Sequence, residues 1–353
     1  MSGTMMDNKP LSPSSAEPDP PARADDTRSS LVQSERSSAT ACGNSNAGVA
    51  TPSSPLTTGA RRESPLRDVF LGPKGIYPGT RWLIYLAMAW IIFQVEGWLV
   101  VSLRSHLSVL WWRMMIEASM MLAAILPGFV MARIEDRPFG DFGLPVRRAF
   151  GRNFWVGTLW GIGSLSVLML GLRGAGAFEF GSLALHGTRI WKFAAYYAVL
   201  FLLTGFFEDF LMRGYSQWVL SRGMNFWPAA ALLSVAFGTI HSGNPGEGKT
   251  GLVAAGLIGF LLCLTLRRTG DLWWAVGFHM AWDWGESYLY SVPDSGAVLP
   301  GHLVNSSFHG PDWLTGGSVG PEGSYLVFVV IGALWVLFDR AYPEVKYGGD
   351  QKG

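Results

Sequence analysis

The stretch Phe206-Phe207-Glu208-Asp209-Phe210-Leu211-Met212-Arg213-Gly214-Tyr215 sets two acids and an arginine inside an apolar run that begins near Trp191. That run, with Ala194, Ala195, Val199, Leu200, Phe201, Leu202 and Leu203, is hydrophobic on every helical face. A helix apolar all round is buried in a large core or in lipid. Ionisable groups at such depth are costly, so they are rare and usually functional. Two later apolar runs repeat the pattern. Phe237 and His241 lie four apart in one, and His279 and Asp283 lie four apart in the other. The three segments read as one active site within a membrane.

The composition agrees. The 353 residues are 49% hydrophobic and only 15% charged, with 16 Trp and 21 Phe, which fits a polytopic helical membrane protein better than a soluble one. A net charge of +1 gives no argument for a nucleic-acid partner. Cys42 lies in a polar tail and Cys263 in an apolar run, so no disulfide between them is expected. No apolar run precedes Trp82, and no cleavable signal peptide is expected.

Residues 1–66 are rich in Ser, Pro, Thr, Gly and Asp and lack an apolar period. They bury too little surface to offset ordering entropy and are expected to be a disordered tail. Residues 67–345 form the expected helical membrane domain. A membrane span needs about 20 apolar residues. Runs at 81–103, 109–132, 153–172, 191–215, 226–242, 252–267, 272–290 and 323–341 predict an all-α fold of about eight transmembrane helices, the fifth and sixth short. Aromatic belts are expected where Trp82, Trp111, Trp112, Trp155, Trp191, Trp227, Trp273 and Trp274 sit at run ends.

Lys and Arg in the short loops give an orientation. They gather before the first run, between the second and third, between the sixth and seventh and after the eighth, whereas 291–322 contains none. Both termini are therefore expected in the cytoplasm with 291–322 outside. The expected location is multi-pass membrane, the plasma membrane in a bacterial source.

Asp209 and Arg213 share a helix face, and an ion pair between them is natural. Glu208 points about 100° away and is free to face a cavity. Tyr215, seven residues on, returns to the Glu208 face. His241 closes its run, before the helix-breaking Ser242-Gly243-Asn244-Pro245-Gly246-Glu247-Gly248. An i, i+4 His279–Asp283 pair fixes a tautomer and a ring direction. A carboxylate beside an imidazole can take a proton from water. A second imidazole with its carboxylate can donate to the oxyanion formed at an attacked carbonyl. No Ser or Cys has an obvious basic partner for covalent acyl transfer. A proton-coupled carrier would need the same residue types in its bundle, so the residues leave it open beside a water-activating hydrolase. Glu96, Arg113 and Glu117 in the first two runs read as interface or inter-helix pairs, and His302 and His309 as solvated.

Glu208-Asp209-Phe210-Leu211-Met212-Arg213, Phe237-Gly238-Thr239-Ile240-His241 and His279-Met280-Ala281-Trp282-Asp283 resemble, in order and spacing, the motifs of the type II CAAX prenyl endopeptidase family. This family is also called the CPBP or Abi group of intramembrane proteases. Arg137-Pro138-Phe139-Gly140-Asp141-Phe142-Gly143-Leu144 resembles a stretch found before the core in this group, so the likeness covers about residues 130–290. The resemblance implies an eight-span helical fold with a polar cavity and a membrane-associated peptide or protein substrate in the bilayer. It implies that Glu208 and His241 activate the attacking water, that His279 and Asp283 stabilise the oxyanion, and that Arg213 pairs with an acid. Asp209 stands where Glu is commoner. Asp283 stands in an Asn-or-Asp position, and its main role is to hold His279, because only a protonated acid donates. The resemblance favours catalysis without a tightly held metal. Glu208, His241 and His279 are nevertheless ligand types that suit a three-residue zinc site. A non-catalytic scaffold or bacteriocin-immunity-like protein of the same fold is the alternative to the enzyme, and the intact polar residues argue against it.

Overall fold

A computed structural model describes residues 71–72 and 75–348. The expected disordered tail, residues 1–66, lies outside the described residues. The described chain is mostly helical, and the membrane helices account for nearly all of its regular structure. The helices are α1 (Pro78–Ser102), α2 (Val109–Ile134), α3 (Arg152–Gly174), α4 (Thr188–Arg213), α5 (Tyr215–Met224), α6 (Phe226–Ile240), α7 (Lys249–Thr269), α8 (Trp273–Trp284), the short α9 (Asp312–Thr315) and α10 (Leu326–Ala341). The helix α8 runs on through a π-helical stretch, Gly285–Tyr290. Two small antiparallel pairs, Leu71–Gly72 with Gly75–Ile76 and Phe178–Glu179 with Ser307–Phe308, add strand that the apolar runs do not announce.

Every apolar run of the sequence is helical, but not all are long. Among the described residues, five helices are long and apolar enough to cross a membrane: α1, α2, α3, the Thr188–Met224 stretch and α7. By contrast α6 has 15 residues, α10 has 16, and α8 has 12 before its π-helical extension. The chain is a multi-pass membrane protein. Its outward faces carry exposed large apolar side chains, among them Trp98 (75% exposed), Trp191 (77%), Val235 (68%) and Val329 (68%).

Local chemistry sets the helix ends. Pro78 opens α1, where its missing N–H costs nothing. The Ser108 side chain accepts from the Trp111 N–H and caps α2. Gly270 takes a left-handed conformation and stops α7. Asp271 follows and is fully buried. Its carboxylate accepts from the Trp273 N–H (3.2 Å) and from Asn153 (3.0 Å), with Arg148 3.3 Å away, so it fixes the start of α8 against α3.

The helix α8 lies innermost and packs against α3 and α4. The approach to α3 is close because three glycines meet backbone across it. A Cβ at Gly157 would land on the Trp274 carbonyl, one at Gly161 on the Phe278 carbonyl, and one at Gly277 on the Phe154 carbonyl. Small residues allow such approach between membrane helices. Trp273 and Trp274 are buried here, correcting their expected place in an interfacial belt. Trp274 packs on Trp160, Phe278 and Phe338, and the Trp273 indole donates to the Pro145 carbonyl at 3.2 Å.

Candidate functional site

The stretch Phe206–Arg213 forms the end of α4, and its polar groups divide as the helical period requires. Asp209 and Arg213 are buried. Arg213 donates from Nη1 to Asp209 Oδ1 at 2.6 Å and from Nε to the Gly259 carbonyl of α7 at 3.2 Å. Its guanidinium also covers the Phe237 ring at 4.6 Å. One ion pair thus ties α4 to α6 and α7. Glu208 turns the other way and lines a cavity of about 500 Å3. His241, His279, Asp283 and Phe237 line the same cavity, so all four expected catalytic residues face one space.

His279 is the meeting point. Its Nε2 lies 3.5 Å from Glu208 Oε2 and 3.5 Å from Asp283 Oδ2, and its Nδ1 lies 3.4 Å from Asp209 Oδ2. Asp209 therefore does more than brace Arg213: its second oxygen orients His279. The i, i+4 spacing to Arg213 gives no sign of this, because the contact crosses from α4 to α8.

His241 stands apart. Its Nδ1 lies 2.7 Å from the Phe237 carbonyl, and its ring packs edge-on against Phe237 at 4.6 Å. A carbonyl only accepts, so Nδ1 carries the proton and the neutral ring keeps Nε2 as an acceptor. Among the described residues no hydrogen bond or ion pair joins His241 to Glu208. The acid expected to work with His241 thus contacts His279, and any link from Glu208 to His241 runs through the cavity. The donor atoms of Glu208, His241 and His279 do not gather into a metal-sized set. Among the described residues, the three that do, within 4.8 Å of one another, belong to Glu286, Asp294 and Glu322. Of the three residues that suit zinc, Glu208 and His279 are neighbours at 3.5 Å and His241 stands away from them.

Tyr215 does not return to the Glu208 face. The backbone leaves helical geometry at Gly214 (φ −82°, ψ −113°), which ends α4 and starts α5. Tyr215 is buried, donates to Glu135 Oε1 at 2.9 Å and packs on Tyr85 and Phe142. The stretch Arg137–Leu144 supports α4 from this side. Phe139 stacks on Phe210 with centroids 5.1 Å apart, and the Gly143 carbonyl accepts from the Leu272 N–H at 2.7 Å.

Other polar groups border the cavity. Arg113 lines it and pairs with buried Glu117 at 2.8 Å, within α2, while the Thr204 hydroxyl donates to Glu117 at 3.1 Å. The pair lies beside the cavity as well as between helices. Glu247, in the loop after α6, also lines it. Burial pushes its carboxyl up, and the Gly248 N–H pulls it back. Ser287, Asp294, Ser295 and Glu322 complete one wall. Asp294, Ser295 and Glu322 lie in the segment rich in Gly, Ser and Pro after the π-helical stretch, which hides them from any periodicity argument. His309 is exposed as expected, with Glu179 at 3.7 Å.

With this geometry in hand, residues 190–285 match the family model described as Type II CAAX prenyl endopeptidase Rce1-like. The matched span runs from α4 to the start of the π-helical stretch and includes all three motifs. A search of curated proteins gives no match to the chain.

Proposed function

We propose that this chain, which belongs over residues 190–285 to the Rce1-like type II CAAX prenyl endopeptidase family, hydrolyses a peptide bond of a membrane-associated protein or peptide by Glu208- and His241-driven activation of water. The family is one of intramembrane proteases, and the substrate reaches the site from the bilayer. The observation that carries the mechanism is the convergence of Glu208, His241, His279 and Asp283 on one cavity, with Glu208 in reach of His279.

Water held between Glu208 and His241 is the nucleophile. Glu208 takes its proton, and the free Nε2 of His241 accepts the second hydrogen bond. The hydroxide oxygen bonds to the scissile carbonyl carbon, whose π electrons pass to the carbonyl oxygen. The His279 Nε2–H, whose carboxylate neighbours stand back at 3.5 Å, donates to that oxyanion. The tetrahedral centre then collapses, the C–N bond breaks, and Glu208 returns the proton to the departing amine. Asp283 at one ring nitrogen and Asp209 at the other keep His279 in place. Arg213 holds Asp209 in turn. The Lys and Arg pattern supports both termini in the cytoplasm.

The test is a comparison of membranes carrying wild type or Glu208→Gln, mapped for new peptide termini. Termini present with the wild type and lost in the variant are expected. Identical termini from both, with both proteins folded, overturn the reading.

A further inference from the structure

Glu286, on the π-helical stretch after α8, is fully buried, and neither carboxylate oxygen has a hydrogen-bond partner. The Trp282 indole is near it without hydrogen-bond geometry. A buried acid left without a donor is costly and demands a reason. Two further acids supply one. Asp294 and Glu322 each bring an oxygen so that the three carboxylates gather within 4.8 Å. The Ser287 hydroxyl donates to Asp294 at 3.3 Å and the Ser295 hydroxyl to Glu322 at 2.7 Å, which fixes the direction of both. Among the described residues no Lys or Arg pairs with any of the three acids, and residues 291–322 contain neither type.

We propose that Glu286, Asp294 and Glu322 bind one hard divalent cation of the calcium and manganese class. The donors are all oxygen, with no imidazole or thiolate to select zinc or copper. One cation offsets three mutually repelling charges and satisfies the unpartnered oxygens of Glu286. The ligands come from three places in the chain: the end of α8, the loop after it, and the turn Pro321–Gly323 before α10. A cation there clamps the 291–322 segment onto the bundle and closes the cavity wall that carries Asp294 and Glu322. The site shares a cavity with the His279 cluster but uses none of its residues, and its occupancy does not depend on the proposed hydrolysis.

The experiment uses the full chain in detergent, stripped with a chelator and titrated with Mn2+ while free Mn2+ is followed by electron paramagnetic resonance. Wild type is expected to bind one Mn2+ per chain and to release it to Ca2+. Glu286→Gln and Asp294→Asn each weaken binding by about tenfold or more, as loss of a charged ligand does. Asp294 and Glu322 are partly exposed, so Asp294→Asn and Glu322→Gln remain informative should the buried Glu286 change prevent folding. Thermal unfolding supplies a second readout: Mn2+ raises the midpoint of wild type, and of the variants less. Failure of the wild type to bind Mn2+ saturably overturns the proposal. So does binding that folded variants retain at full strength.

Discussion

Asp209 Oδ2 lies 3.4 Å from His279 Nδ1, while its other oxygen holds Arg213 at 2.6 Å. A single carboxylate thus couples the most buried ion pair of α4 to the imidazole of α8. Replacing Asp209 by Asn keeps the shape and removes the charge. Breaking one side of a buried pair costs about 3–5 kcal/mol. Asp209→Asn is expected to lower the midpoint of thermal unfolding in detergent and to reduce peptide cleavage by about tenfold or more. Asp209→Glu, which restores the charge, is expected to recover part of both.

Asp283 contacts the same nitrogen of His279 as Glu208 does, each at 3.5 Å. If Asp283 serves to hold the ring, an amide at that position holds it as well, since its oxygen still accepts. Asp283→Asn is therefore expected to keep cleavage within about tenfold of wild type, whereas Asp283→Leu removes it. Cleavage rates on a common peptide substrate measure the difference. An inactive Asp283→Asn together with an active Asp283→Leu would contradict the holding role.

The glycines between α3 and α8 set how deep His279 sits. A Cβ at Gly161 has only the Phe278 backbone to enter, one residue before His279. Gly161→Ala is expected to cost about 1–3 kcal/mol through overpacking. Because the helices must separate, it is also expected to lower activity more than stability alone explains. Unfolding and cleavage measured on one preparation separate the two effects.

Asp271 offers a control far from the chemistry. Asp271→Ala strips the Trp273 N–H and Asn153 of an acceptor in a buried place. The expected loss is about 1–3 kcal/mol of stability, with cleavage per folded molecule retained. Activity assayed well below the unfolding midpoint checks this.

The helices and the polar motifs were legible because lipid leaves few ways to read an apolar run that contains Glu208 or His279. Three things were not legible. Helical period carries Tyr215 back toward Glu208 only if the helix continues, and Gly214 ends it. The Asp209–His279 contact belongs to a helix crossing, which no spacing within one segment encodes. Residues 291–322 have no period at all, so Asp294 and Glu322 join the cavity wall through loop geometry alone. The Gly157 and Gly161 spacing was a usable sign of close packing with α8, since small residues four apart mark such faces.

The 15 residues of α6 have a reach beyond the protein. At about 1.5 Å each they rise about 22 Å, short of the roughly 30 Å of hydrocarbon. Leu232, Val235 and Ile240 face outward along it, so acyl chains must meet that height. Local thinning of the leaflet next to His241 is the expected response to so short a helix. Such thinning is expected to shorten the path from solvent to the cavity that His241 lines.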